Sequence, residues 1–439
     1  MSISGKILNF PNNIFLYVGY SLFFLMLTVP TQLREVKLIL LVLICTAILI
    51  DCIYCRNGNI FLHKKIFMWT LFYSAIGSLF IFWGFINDAP GAIRVSTVYV
   101  IWPLTFTILI AGIKSEKMIN SLMRIIVIAN ISICLYSLLW TLKTTGYLTI
   151  IPFDINIFDT VHQSVSIYEA GYSRYNSPWM AIILFSAPFI FAILCIRPKQ
   201  NHSFFYWILW ITTIINLSLV IISGKRILLL IILLLPILVL FFSYFLPGHQ
   251  KRGIIKRTIG NYLIIFLILI VIYLIFGTLY EYNLGNMLKN LTLFDDSVRN
   301  IENVRYEQFE ALINGWLQNP ILGAGHGAAV DLVRSEKYRW AYELTYVALL
   351  YQVGLVGFMA YFAGVTWIFW MAIKIIKMSD RMAQHMIPVI VGSLCFLIAN
   401  STNPYLVTFD YIWVVFYPIG LINYWLVDHQ QRVYKRDRI

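Results

Sequence analysis

Three observations predict an all-α, polytopic membrane fold of about twelve helices. Hydrophobic residues fill 60% of the 439 positions and charged residues 12%, a balance that cannot give one soluble globule a polar surface. Apolar runs long enough to cross a hydrocarbon core of roughly 30 Å recur along the whole chain. Basic residues cluster in the gaps between these runs, so the net charge of +13 describes topology and not affinity for nucleic acid.

The runs lie near 12–30, 36–55, 66–87, 95–113, 119–142, 178–196, 203–222, 226–246, 260–280, 343–376, 384–402 and 408–427. No small-x-small cleavage site follows the first run (Thr31-Gln-Leu-Arg-Glu35), so it is expected to stay as a helix and not to be removed as a signal peptide. With the N-terminus inside, 20 of the 33 lysines and arginines fall in short cytoplasmic loops or tails, and both termini are cytoplasmic. A multi-pass inner-membrane location is therefore expected. This orientation leaves two long segments in the periplasm, 143–177 and 281–342. Residues 1–439 read as a single membrane domain, without the matching halves common in transporters. The six cysteines sit in apolar runs or at their ends, which implies no disulfide framework. The Cys52–Cys55 pair has no second pair to complete a metal site.

The larger loop carries its own pattern. Phe309, Leu312, Ile313, Trp316 and Leu317 recur at helical spacing opposite Glu307, Glu310, Asn314 and Gln318, predicting an amphipathic helix that begins at Arg305. Asn319-Pro320 stops it, and Gly323-Ala-Gly-His-Gly327 supplies a flexible bend. After Tyr342 the apolar pattern runs for 34 residues, about 51 Å of continuous helix. It must therefore project beyond the bilayer or break near Gly354 and Gly357.

Ionisable groups at the rim of a membrane are costly, so each is weighed against an ordinary role. Arg305 shares a face with Phe309 and is either an interfacial anchor or an anion ligand. Lys225 and Arg226, in the tight turn Ser223-Gly-Lys-Arg226, suit a phosphate or snorkel to headgroups. Arg174 precedes a helix and is a phosphate ligand or a simple loop arginine. Glu343 heads a stripe with Tyr346, Val347 and Leu350, as a base or as a helix-start glutamate held by the macrodipole. Asp295-Asp296 lacks a third metal ligand and reads as solvated loop, so no metal and no cofactor are expected. His326 reads as part of a flexible bend, and Asn403-Pro404 with Asp410 as helix caps.

Taken in order, these segments resemble the bacterial O-antigen polymerase and ligase family, Wzy-like and WaaL-like integral membrane glycosyltransferases. The resemblance rests on Ser223-Gly-Lys-Arg226, on Arg305 with Trp316, Asn319-Pro320 and Gly323-Ala-Gly325, and on Glu343-Leu-Thr-Tyr-Val347 leading to Gly354-Leu-Val-Gly357. It implies a GT-C-like helical fold with a large helical periplasmic loop. It also implies transfer of a glycan from undecaprenyl diphosphate to a sugar hydroxyl, without a metal. Glu343 and Arg305 would be catalytic, Arg226, Lys225 and Arg174 would bind diphosphate, and Trp316, Tyr346 and Trp340 would contact sugar. Family ligases carry His-Asn-x-Tyr-Leu where this chain has Glu343-Leu344-Thr345-Tyr346-Val347. That departure favours a polymerase, with ligase second and a lipid-linked oligosaccharide flippase third. Implied partners are the undecaprenyl-diphosphate-linked oligosaccharide, membrane lipids and a chain-length regulator protein.

Overall fold

A computed structural model describes residues 10–30, 32–54, 61–144, 146, 148–149, 164–167, 173–176, 180–197, 204–223, 225–279, 296–333 and 336–436. The chain forms α1 (Phe10–Thr28), α2 (Arg34–Tyr54), α3 (Lys64–Ile86), α4 (Ala92–Ala111, with a π turn at Thr97–Ile101) and α5 (Glu116–Thr144). After β1 (Ser164–Ile167) and β2 (Ser173–Asn176) come α6 (Met180–Ile196), α7 (Phe204–Ser223), α8 (Arg226–Ser243) and α9 (Gly248–Leu279). The remaining helices are α10 (Asp296–Gln318), α11 (Thr345–Met378), α12 (Asp380–Asn400) and α13 (Trp413–Arg436).

Every expected apolar run falls on a helix. Among the described residues, nine are long and apolar enough to cross a membrane, namely α3, α4, α5, α7, α8, α9, α11, α12 and α13, as a multi-pass membrane protein requires. The apolar stretches Leu16–Thr28 and Met180–Ile196 are shorter, and α2 starts on Arg34, Glu35 and Lys37. The β1–β2 hairpin, antiparallel with Ser166 opposite Arg174, is the one departure from an all-helical chain among the described residues. Most of 143–177 and residues 280–295, including Asp295, lie outside them.

Helix α6 is the axis of the bundle. Nearly all of its residues are buried, which explains why its sequence is apolar all round and carries no amphipathic period. It packs on α12, where Gly392 lets the backbone of Phe185 approach. At its middle, the Asn130 amide of α5 donates to Ser186 Oγ (2.6 Å) and to Asn216 Oδ1 of α7 (3.2 Å), and the Asn216 amide returns a bond to Asn130 Oδ1 (2.9 Å). In a surround that offers no water, such a network joins three helices. Asn216→Leu is expected to lower stability by about 1–2 kcal/mol, read as a reduced melting temperature in detergent. An unchanged melting temperature would show that the network contributes nothing net.

At one end of the bundle, Lys37 is buried against Asp410 (3.6 Å) and donates to the carbonyls of Val29 and Pro30 (2.9 and 2.6 Å). Asp410 is thus a staple between α2 and the α12–α13 connection, a role beyond the helix capping expected for it. The same end carries the α10–α11 segment.

Candidate functional site

Helix α11 breaks at Gly354, which takes φ 59° and ψ −169°, a region open in practice to glycine alone. The break frees backbone groups on both sides, and the chain between α10 and α11 satisfies them. Ala324 N donates to Tyr351 O (3.0 Å) and Gly325 N to Gln352 O (2.7 Å), while Leu355 N and Val356 N donate to Pro320 O and Ile321 O (2.9 and 3.1 Å). His326 N donates to Phe80 O of α3 (2.9 Å), and Gly91 N donates to Gly327 O (3.0 Å). Residues 319–327 therefore dip between α3 and α11, and irregular backbone survives there because protein encloses it. This corrects the expectation of a flexible bend. Gly323, Gly325 and Gly327 all have positive φ and lie backbone against backbone, so they serve close approach.

His326, in this connection and outside the spanning helices, is fully buried. Its Nε2 pairs with Tyr361 Oη (2.8 Å) and its ring stacks on Tyr99 at 3.8 Å. Burial pushes its pKa down to about 3, against a smaller opposing effect of Gln352. The unfolded chain takes up this proton near pH 6.5. The folded state therefore keeps its full stability above that pH and loses it as pH falls toward 3. Going from pH 7.5 to 5 is expected to cost the wild type about 2 kcal/mol more than His326→Gln, measured by chemical unfolding in detergent. Parallel pH profiles would show that His326 is not held neutral.

On this platform sits the pair the sequence singled out. Arg305 Nε donates to Glu343 Oε2 at 2.7 Å, with the two side chains 38% and 22% exposed. Helix α10 starts at Asp296, nine residues earlier than expected, so Arg305 falls within it. Glu343 precedes α11, which starts at Thr345; the shared helical face expected for Glu343 and Tyr346 therefore does not exist. Arg305 points at Glu343 from the face of α10 that also buries Gln308 and Leu312. Beneath the pair, Leu312, Tyr342, Ala348 and Tyr351 form a small core against which Trp316 packs. Tyr342 Oη accepts from Val330 N (2.8 Å), and burial raises its pKa to about 12, so it stays a neutral phenol. The Gln352 amide donates to the carbonyls of Ala328 and Trp340 (3.0 and 3.2 Å), tying the strap before Glu343 to the broken helix.

The apolar face of α10 is covered only in part. Leu312 is buried, but Tyr306, Phe309 and Leu317 remain exposed, and the stripe continues through Ile321 to the outward-facing Leu355, Val356 and Met359 of α11. This surface joins the lipid-facing side of the bundle, which suits an interfacial helix.

The other expected site residues lie on other elements, with β2 packed against α7, the helix that ends at Ser223. Lys225 caps α8 and Arg226 opens it, with the Lys225 amide donating to Ser223 Oγ (3.3 Å); α8 packs on α6, α9 and α12. Arg174 belongs to β2. Trp340 covers Gly91 and meets Tyr338 edge-on at 5.9 Å. Tyr346 donates to Leu397 O (2.6 Å), joining α11 to α12. Sequence reasoning missed Arg94, whose guanidinium lies 4.9 Å from the Tyr338 ring centroid and donates to its hydroxyl (3.3 Å). Only the fold reveals this contact, since 244 residues separate the two.

The chain matches no protein-family model, and no curated protein matches it significantly.

Proposed function

We propose that the chain is an O-antigen or related surface-polysaccharide polymerase. In this reading it is a glycosyltransferase that joins undecaprenyl-diphosphate-linked repeat units at the periplasmic face of the bacterial inner membrane, with about twelve spans in a GT-C-like arrangement. The observation that carries this reading is the partly exposed Arg305–Glu343 pair at one end of the bundle, beside a broken helix and the aromatic side chains of Trp316, Tyr338 and Trp340. An acceptor hydroxyl attacks the anomeric carbon of the donor glycan, and the bond from that carbon to the diphosphate oxygen breaks. The proton passes to Glu343. The charge left on undecaprenyl diphosphate is met by guanidinium, whose fork matches phosphate oxygens. Arrival of the diphosphate draws Arg305 away from Glu343, and the carboxylate accepts the proton. Lys225, Arg226 and Arg174 are the further cations of the same reading, while Trp316, Trp340 and Tyr346 are its sugar contacts.

The departure Glu343-Leu-Thr-Tyr-Val347 from the ligase pattern supports polymerase over ligase. The break at Gly354 could suggest a transporter's discontinuous helix, but its freed backbone groups bond to the 320–325 segment, which argues against an ion site there. The test is the glycan that accumulates in a deletion strain. Single repeat units on lipopolysaccharide, extended to a ladder on complementation, support the polymerase. Long polymer left on the carrier lipid points to a ligase, and units stranded in the cytoplasmic leaflet point to a flippase.

A further inference from the structure

Helices α1, α2, α4, α5 and α13 line a half-open cavity of about 370 Å³, with its mouth at the end of the bundle opposite Arg305 and Glu343. That is within the range of small-molecule sites. Its walls are apolar apart from the mouth, with Leu16, Ile44, Ile48 and Phe106 among them, and such a space excludes water and favours hydrocarbon. Phe23 of α1 closes the deep end by reaching across to Trp413 and Tyr417, at ring-centroid distances of 5.7 and 6.1 Å. The other end holds Asp51 of α2 and Lys114 of the α4–α5 link, which pair with each other and keep about a third of each side chain exposed, 33% and 35%.

An acid and a base side by side at the mouth of an apolar slot discriminate between headgroups. A lone phosphate would meet Asp51 as well as Lys114. A phosphate carrying a nearby ammonium offers each side chain its opposite charge. We propose that this cavity binds one glycerophospholipid with a phosphoethanolamine headgroup, its acyl chain in the slot and its headgroup on Asp51 and Lys114. The site is independent of the glycosyltransferase reading, and its charged mouth lies at the other end of the bundle.

The test uses the full chain in nanodiscs of equal phosphatidylethanolamine and phosphatidylglycerol, stripped of bulk lipid by collisional activation in native mass spectrometry. One phosphatidylethanolamine per chain is expected to survive. Ala47→Phe, which fills the slot, is expected to reduce retention roughly tenfold, the scale of about 1.4 kcal/mol. Lys114→Ala, at the rim and clear of the core, is expected to lose the preference between the two headgroups. The proposal is overturned if no lipid survives on the wild type, if phosphatidylglycerol is preferred, or if Lys114→Ala keeps the wild-type preference. A folded Ala47→Phe that retains lipid as the wild type does overturns it as well.

Discussion

Arg305→Ala and Glu343→Ala are each expected to cut polymer synthesis by at least about 100-fold, the scale of removing one preorganised group that meets developing charge. In a deletion strain carrying either variant, the lipopolysaccharide ladder should collapse to core plus one unit while the protein remains in the membrane. The informative variant is the charge exchange Arg305→Glu with Glu343→Arg. It restores an ion pair between α10 and the strap before α11, so a role confined to holding these elements together predicts recovery. The proposed chemistry predicts none, because a carboxylate then stands where the diphosphate needs a cation. A ladder made by the exchanged variant would remove both residues from the catalytic role. Arg305→Lys separates the matter further: it keeps charge but loses the guanidinium fork, and should retain partial activity.

Gly325→Ala is expected to prevent accumulation of folded protein. A β-carbon there would stand 2.1 Å from Gly84 Cα and 2.3 Å from Gly84 N, at φ +95°. Neither backbone can yield without breaking the hydrogen bonds that seat the 319–327 segment on Phe80, Tyr351 and Gln352. Gly354→Ala should behave alike, since its β-carbon would meet Ile321 O at 2.3 Å. Each clash is backbone on backbone, so the cost should exceed about 3 kcal/mol. Gly260 in α9 is the control. A β-carbon there has open space around it, and alanine should leave stability unchanged or raise it by up to about 1 kcal/mol. Fluorescence-detected size exclusion and thermal melting in detergent read all three, and wild-type melting of Gly325→Ala would show that the crossing is looser than described.

The amino-acid sequence by itself determined where the helices lie, because lipid forces each crossing segment to be apolar over its whole length and to satisfy its own backbone. Because 34 apolar residues exceed what a bilayer holds, it also required that run either to project beyond the membrane or to break near Gly354 and Gly357, and it singled out Arg305 and Glu343 among several rim charges that each also had an ordinary role open to them. Periodicity could say that α10 has an apolar side but not which part of that side is covered. Tyr342, Tyr351 and Ala324 made that choice by packing on Leu312 and leaving Phe309 and Leu317 outside. Likewise, Gly-Ala-Gly-His-Gly reads locally as freedom. The close approach of α3 and α11 turns it into the most tightly seated connection of the site, with His326 held on Tyr361 and Tyr99. The Arg305–Glu343 bond, the Lys37–Asp410 staple and the Arg94–Tyr338 contact join residues 38, 373 and 244 positions apart. No local pattern encodes such pairings, because each exists only once the fold has brought the two distant segments together.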